Sequence, residues 1–378
     1  MKNVSTVIPC YAADTSGVCS ALYELGGLTV VHDASGCNST YSTHDEPRWY
    51  DKRSMIYISA LTEMDAVMGN DEKLILDTVA AAEDLRPEFI TLCGSPMPMM
   101  TGFDYDAAAA EIEERSGIKC LPMHTNGTRS YIEGASEAFL AAVKAFAKEG
   151  PKVENGVAVL GATPLDFGLS GSIGSIRTWL GERGFETVSC LAVDSSFKDL
   201  ERAALAKVSL VVSQSGLAAA KYLEKEFGIP YICGVPYGKK YAERVERYLR
   251  WAMEDNETDW VDERSGRDFD TVVIGETVSA FSLCSALYWD LGIDAAAICP
   301  LPYEEGRLGR DLAMSAEEDI KAFLEECRPA RVIADPLYRY VVPKDTRLTE
   351  LPHFAFSGRC FGQRIPDLIN KDIKEFFE

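Results

Sequence analysis

The chain is predicted to be an α/β protein built from three successive parallel β-α-β blocks of Rossmann-like pattern. Three observations carry this. Short apolar runs alternate with helical patterns along all 378 residues. Charged or Gly/Pro-marked breaks divide the alternation into three series. Strands separated by helical segments, rather than by hairpin turns, give parallel sheets covered by helices. The boundaries predicted are residues 1–150, 151–268 and 269–378.

The first block has strand-like runs at Val4–Pro9, Leu28–His32, Met55–Ser59, Phe89–Leu92 and Ile118–Pro122, with helical patterns at Asp71–Asp84, Asp104–Ser116 and Tyr131–Lys148. Glu149-Gly-Pro-Lys152 closes it. The second opens with Gly156–Leu160 and a glycine- and serine-rich turn, Gly168–Gly174, leading into a helix that ends near Gly184. Strands follow at Thr187–Val193, Leu210–Ser213 and Tyr231–Cys233, and helices at Gly216–Phe227 and Lys240–Met253. The polar run Glu254–Asp270 reads as a linker or surface excursion. The third block starts at Thr271–Gly275, passes a helix to Leu291, and continues with Ala295–Cys299, a helix at Ser315–Glu326, and Arg331–Asp335.

Composition narrows the function. A hydrophobic content of 47% is enough for several packed cores. Eleven cysteines, an odd count without a secretory signal pattern, point to a reducing, cytoplasmic setting in which disulfides are not expected. No apolar stretch reaches the roughly 20 residues that span a bilayer. A net charge of −21 argues against nucleic acid as a partner. There is no G-x-x-x-x-G-K-[S/T], no strand followed by G-x-G-x-x-G, no H-E-x-x-H and no C-x-x-C. ATP hydrolysis by the chain itself, ordinary dinucleotide binding, zinc hydrolysis and thioredoxin-like exchange all lose their usual signatures.

What remains is a set of thiols at strand ends. Cys10 closes the opening run, Cys37 follows Leu28–His32 in Asp-Ala-Ser-Gly-Cys, and Cys93 follows Phe89–Leu92. Loops beyond the carboxyl ends of parallel strands share one edge, where α/β proteins bind ligands. Thiolates converging there are soft donors suited to iron–sulfur clusters or zinc. Each cysteine taken alone also reads as a small buried hydrophobe. Cys19, Cys190, Cys284 and Cys299 read as packing residues; Cys233 ends a strand as the triplet does, and Cys360 lies in a loop with Arg359 and Arg364. His44 and His124 are candidate proton donors, or hydrogen-bonded surface histidines. The Gly168–Gly174 turn offers a helix N-terminus to an anion, and Met97, Met99 and Met100 either line a cavity or pack at a subunit contact.

The pattern of Cys10, twenty-six intervening residues, Cys37, and then Thr91-Leu-Cys93-Gly-Ser-Pro with Gly102-Phe-Asp104 resembles the cluster-binding region of nitrogenase component 1 proteins. Leu61–Leu74, Val159-Leu-Gly-Ala, Phe227-Gly-Ile-Pro and Val273-Ile-Gly-Glu276 extend the likeness. The resemblance implies three Rossmann-like domains of the component 1 type, with Cys10, Cys37 and Cys93 as ligands to the iron of a [4Fe-4S] or larger P-cluster-like centre. It implies pairing as a homodimer or with a paralogous subunit, electrons from a P-loop, ATP-dependent iron-protein reductase, and a small-molecule substrate. The segment Val211–Gly216 carries no thiol where nitrogenase catalytic subunits anchor their large cofactor, and the third block's His353 has no secure counterpart. An organic, tetrapyrrole-like acceptor is therefore expected in place of dinitrogen. The rival expectations are a non-catalytic scaffold for metallocluster assembly and a zinc-bound structural protein.

Overall fold

The computed structural model describes residues 10, 12–34, 46–262, 264, 269–303 and 311–377. Three sheets organise them, and every strand pair is parallel. The first contains β1 (Leu28–Val31), β2 (Met55–Ile58), β3 (Ile90–Cys93) and β4 (Cys120–Met123) in the order β2-β1-β3-β4. The second holds β5 (Gly156–Leu160), β6 (Glu186–Cys190), β7 (Val208–Val211), β8 (Tyr231–Cys233) and β9 (Asp259–Trp260) in the order β6-β5-β7-β8-β9. The third holds β10 (Thr271–Ile274), β11 (Ala295–Cys299), β12 (Leu312–Ala313), β13 (Arg331–Ala334) and β14 (Arg347–Glu350) in the order β12-β11-β10-β13-β14. In each sheet the order reverses beside the opening strand, which opens a crevice at the carboxyl edge.

These strands form where short, β-branched or small apolar residues are buried on both faces. Leu28–Val31, Ile90–Cys93, Gly156–Leu160, Val208–Val211 and Ala295–Cys299 are buried along their whole length. Such continuous burial is the mark of a parallel strand covered by helices on each side. Helix ends follow the local chemistry. Ser130 and Glu133 form a reciprocal capping box at the start of Tyr131–Phe146, and Gly117 and Gly228 end their helices in the left-handed conformation.

Several expectations are corrected. The run Glu254–Asp270 is not a plain linker: Asp259–Trp260 adds a strand to the second sheet. Within the same run the Arg264 side chain is 3% exposed, paired with Asp262 and Asp311. Charge density suggested solvent, but reciprocal pairing lets these ions be enclosed. β12 and β14 add to the expected strands, being too short or too polar to register as apolar runs. Cys93 is the last residue of β3 rather than the first of the following loop. The expected strand Val4–Pro9 lies outside the described residues.

The helix Asp14–Leu22 is buried at every position. It crosses Tyr131–Phe146 at a backbone-to-backbone approach that only glycine permits. A Cβ on Gly17 would stand 2.1 Å from the Tyr131 carbonyl oxygen, and one on Gly134 would stand 1.9 Å from the Asp14 carbonyl oxygen. After the third sheet the chain returns to the second. Tyr237 and Ile369 form an antiparallel bridge, the Gly238 amide donates to the Leu368 carbonyl at 3.1 Å, and Ile373 and Phe377 are buried in a core to which all three sheets contribute.

Gly134→Ala is expected to lower unfolding free energy by about 3 kcal/mol, as overpacking against immovable backbone does. Gly181→Ala, in a helix where the new methyl meets nothing within 4 Å, should be neutral or stabilising by up to about 1 kcal/mol. Urea denaturation of the two variants checks the contrast.

Candidate functional site at the carboxyl edges

The carboxyl edge of the first sheet is tied together by a buried aspartate. Asp14 is fully buried and its carboxylate accepts from the Thr15, Asn126 and Gly127 amides at 2.9, 2.9 and 2.7 Å, and from Arg129 Nε at 3.2 Å. Thr15 Oγ1 donates to the Gly94 carbonyl at 2.8 Å, and the Gly94 amide donates to Thr125 Oγ1 at 2.8 Å. The start of the helix Asp14–Leu22 is thereby locked onto the loops that follow β3 and β4. The lock holds the start of that helix against Gly94, the residue following Cys93, whereas Cys10 packs on the apolar cluster of the third sheet.

The two described thiols occupy different settings there. Cys93 is fully buried beside Cys19 and Cys120; burial first, then neighbouring Cys19, Glu137, Asp14 and Cys120, push its thiol well up. Cys10 is half-buried, with Sγ 3.6 Å from the Ala12 carbonyl oxygen and 3.8 Å from that of Ala355. It faces the apolar cluster of the third sheet and lines a cleft of about 900 Å³. Arg129, Glu133, Tyr303, Met314 and Tyr338 share that cleft. Cys37 and His44 lie outside the described residues. Among the described residues no group of three or more His, Cys, Asp or Glu side chains is arranged to hold a metal ion. The donor chemistry of Cys10 and Cys93 fits a thiophilic iron centre, since a bound metal ion would offset the cost of ionising a buried thiol.

The remaining candidates fall elsewhere. His124 follows β4 on the surface, with Nε2 3.0 Å from Asp106 and Nδ1 3.2 Å from Glu137; the Asp106 hydrogen bond outweighs desolvation and raises its pKa. Cys233 ends β8 and is buried, whereas Cys360 is exposed. Arg359 stacks over Tyr50 at 5.0 Å and donates to the Glu46 carbonyl at 2.9 Å. Met97, Met99 and Met100 are exposed, as are Met64, Val67 and Met68 on the short helix after β2.

Sequence reasoning missed two buried features. His32, at the end of β1, has Nδ1 2.8 Å from Ser59 Oγ, and burial lowers its pKa to about 4, so it is neutral. A second cluster sits where all three carboxyl edges meet. Tyr131 Oη and Thr163 Oγ1 both donate to Asp166, the latter at 2.8 Å, and His353 Nε2 stands 3.5 Å from the same carboxylate. Glu276 accepts from the Gln214, Val278 and Ser279 amides at 2.8, 3.1 and 2.9 Å. The available signal was Gly275-Glu276 directly after a strand, the position of a carboxylate helix cap.

Against this geometry the family comparison is decisive: the model for nitrogenase component 1 type oxidoreductases matches residues 18–275. The chain belongs to that family. The cofactor biosynthesis protein NifE of Clostridium pasteurianum, named for the nitrogenase iron-molybdenum cofactor, is 26% identical over 74% of this chain and 66% of its own length. The nitrogenase molybdenum-iron protein alpha chain of Methanosarcina barkeri is 25% identical over 52% of this chain and 37% of its own length. One of the subunits of the light-independent protochlorophyllide reductase of Chloroflexus aurantiacus is 30% identical over 46% of this chain and 32% of its own length. The chain thus spans between 32% and 66% of these three relatives. A solved structure titled nitrogenase Cp1 at pH 6.5 superposes with a TM-score of 0.71 at 14% identity, covering 98% of this chain and 91% of that one, which shows the shared fold.

Asp14→Ala leaves three backbone amides and an arginine without their acceptor in a buried setting. It is expected to cost about 3 kcal/mol of stability. Asp14→Asn, which keeps one acceptor oxygen, should cost less; chemical denaturation of both variants checks the order.

Proposed function

We propose that this chain is the iron–sulfur subunit of a nitrogenase-like reductase, with Cys10, Cys37 and Cys93 as ligands to the cluster. The observation that supports the reading is the locked carboxyl edge of the first sheet, where Asp14 and Thr15 fasten the helix that follows Cys10 onto the loops after β3 and β4. A bound [4Fe-4S] or larger cluster supplies a one-electron site of low potential. The chain's own part is to enclose that site from water and to hold a small organic acceptor, tetrapyrrole-like or similarly conjugated, in the cleft beside Cys10. Electrons come from a separate P-loop, ATP-dependent iron protein. A second copy or a paralogous subunit pairs through the first block, where the methionine-rich surface supports an apolar contact. The setting is cytoplasmic. No disulfide links the described cysteines, and none of the helices among the described residues is long and apolar enough to cross a membrane.

A second reading, a scaffold on which a metallocluster is assembled and passed on, is favoured by one specific observation. The NifE alignment covers 74% of the chain, against 46% for the reductase subunit. A scaffold releases its cluster to an acceptor protein, whereas a reductase retains it through many turnovers.

Purified without oxygen, the protein is expected to be brown and to carry about four irons per cubane. Cys37→Ala should lose most of that absorbance and Cys284→Ala should keep it. Iron analysis and visible spectra decide the matter, with equal loss in both variants or zinc in place of iron counting against the assignment.

The isolated chain is expected to show no ATP hydrolysis, and its cluster to be reduced quickly only when a P-loop iron protein and ATP are both supplied. Stopped-flow reduction with and without ATP measures this. Hydrolysis by the chain alone would overturn it.

A further inference from the structure

The cluster at the meeting of the three sheets is unusual in its charge. Tyr131 comes from the helix after β4, Asp166 from the turn after β5, Glu276 from the end of β10 and His353 from the segment after β14. The Asp166 side chain is 2% exposed, Glu276 is 1% exposed as a residue, and Tyr131 is fully buried. No lysine or arginine among the described residues pairs with either carboxyl group; His353 alone stands within ion-pair distance of Asp166. The other titratable groups facing the cluster add no cation. Cys10 lies near Tyr131, Cys299 near Glu276, and Tyr237 donates to or accepts from Ser279 Oγ at 2.8 Å with Asp367 beyond it. Asp335 receives the backbone amide of His353 at 2.8 Å.

Two ionised carboxylates enclosed together without a cation are strongly disfavoured, because each loses its hydration and repels the other. Two hydroxyls on Asp166 and three backbone amides on Glu276 soften that cost but bring no net positive charge. One proton on a carboxyl group settles the balance. We propose that the Tyr131–Asp166–Glu276–His353 cluster is a proton-holding junction: it retains one dissociable proton among side chains from all three sheets, and giving that proton up weakens their packing.

The direction of the pH effect follows from linkage. Burial, then the nearby Asp166, raises the Glu276 carboxyl to about 7. A folded-state value raised above the unfolded one stabilises fully at pH values below the ordinary carboxylate range. That contribution fades as pH rises through the raised value. Folding should therefore weaken by up to tenfold in the equilibrium constant for each pH unit climbed between about pH 5 and 7, the limit for one proton.

The test is chemical denaturation of the full-length protein, purified without oxygen, across pH 5 to 8.5, for wild type, Glu276→Gln and Asp166→Asn. Both variants remove one negative charge with little change in shape. The wild-type folding constant should fall with pH more steeply than that of either variant, the difference approaching tenfold per unit. Parallel curves for wild type and variants would overturn the proposal. Should a variant fail to fold, infrared spectra of wild-type protein with ¹³C-labelled carboxylates supply the answer. A protonated carboxyl that titrates with one proton between pH 5 and 8.5 supports the junction, and the absence of that signal refutes it. The readout is the difference between wild type and variants in carboxyl protonation, not iron content, so its outcome is separable from the assignment of Cys10, Cys37 and Cys93.

Discussion

The structure depends on one constraint: three parallel sheets turn their carboxyl edges toward a shared interior. A parallel strand ends in a loop whose backbone groups no longer belong to a ladder. Three such edges facing one another would bury many unpaired donors and acceptors. Here side chains satisfy them across block boundaries. Glu276, from the third block, caps its own helix and also accepts the Gln214 amide of the second. Tyr131, from the first, donates to Asp166 of the second. The polar junction is thus both the weld between blocks and the place where charge is least well compensated.

The first sheet solves the same problem differently. Asp14 gathers three amides and Arg129, and with Thr15 fastens an N-terminal helix over the β3 and β4 loops. That helix can lie so close only because Gly17 and Gly134 face backbone oxygen atoms. The consequence is a rigid edge beneath Cys93 and beside Cys10. Rigidity of this kind suits a metallocluster, whose ligands must stay fixed while its charge changes.

Membership of the component 1 type family and the geometry meet at this edge. The relatives include a cofactor biosynthesis protein and a reductase subunit, so proteins named for different roles align with this chain. Fold alone therefore does not choose between these roles.

The amino-acid sequence by itself determined the strand and helix alternation, because buried parallel strands read as continuous apolar runs. Gly156–Leu160, Tyr231–Cys233 and Ala295–Cys299 were legible to the residue. It also marked Cys93 as a thiol at the end of a strand. Only the tertiary structure decided that Arg264, in a stretch that looks solvated, is enclosed between Asp262 and Asp311, and that residues after Ile365 return to the second sheet. The same holds for the junction of Tyr131, Asp166, Glu276 and His353, which are separated by up to 222 positions in the chain. Local patterning records how each segment buries its own apolar face. It carries no record of which distant polar groups must satisfy one another once those faces have packed, and that pairing is where this protein places its buried charge.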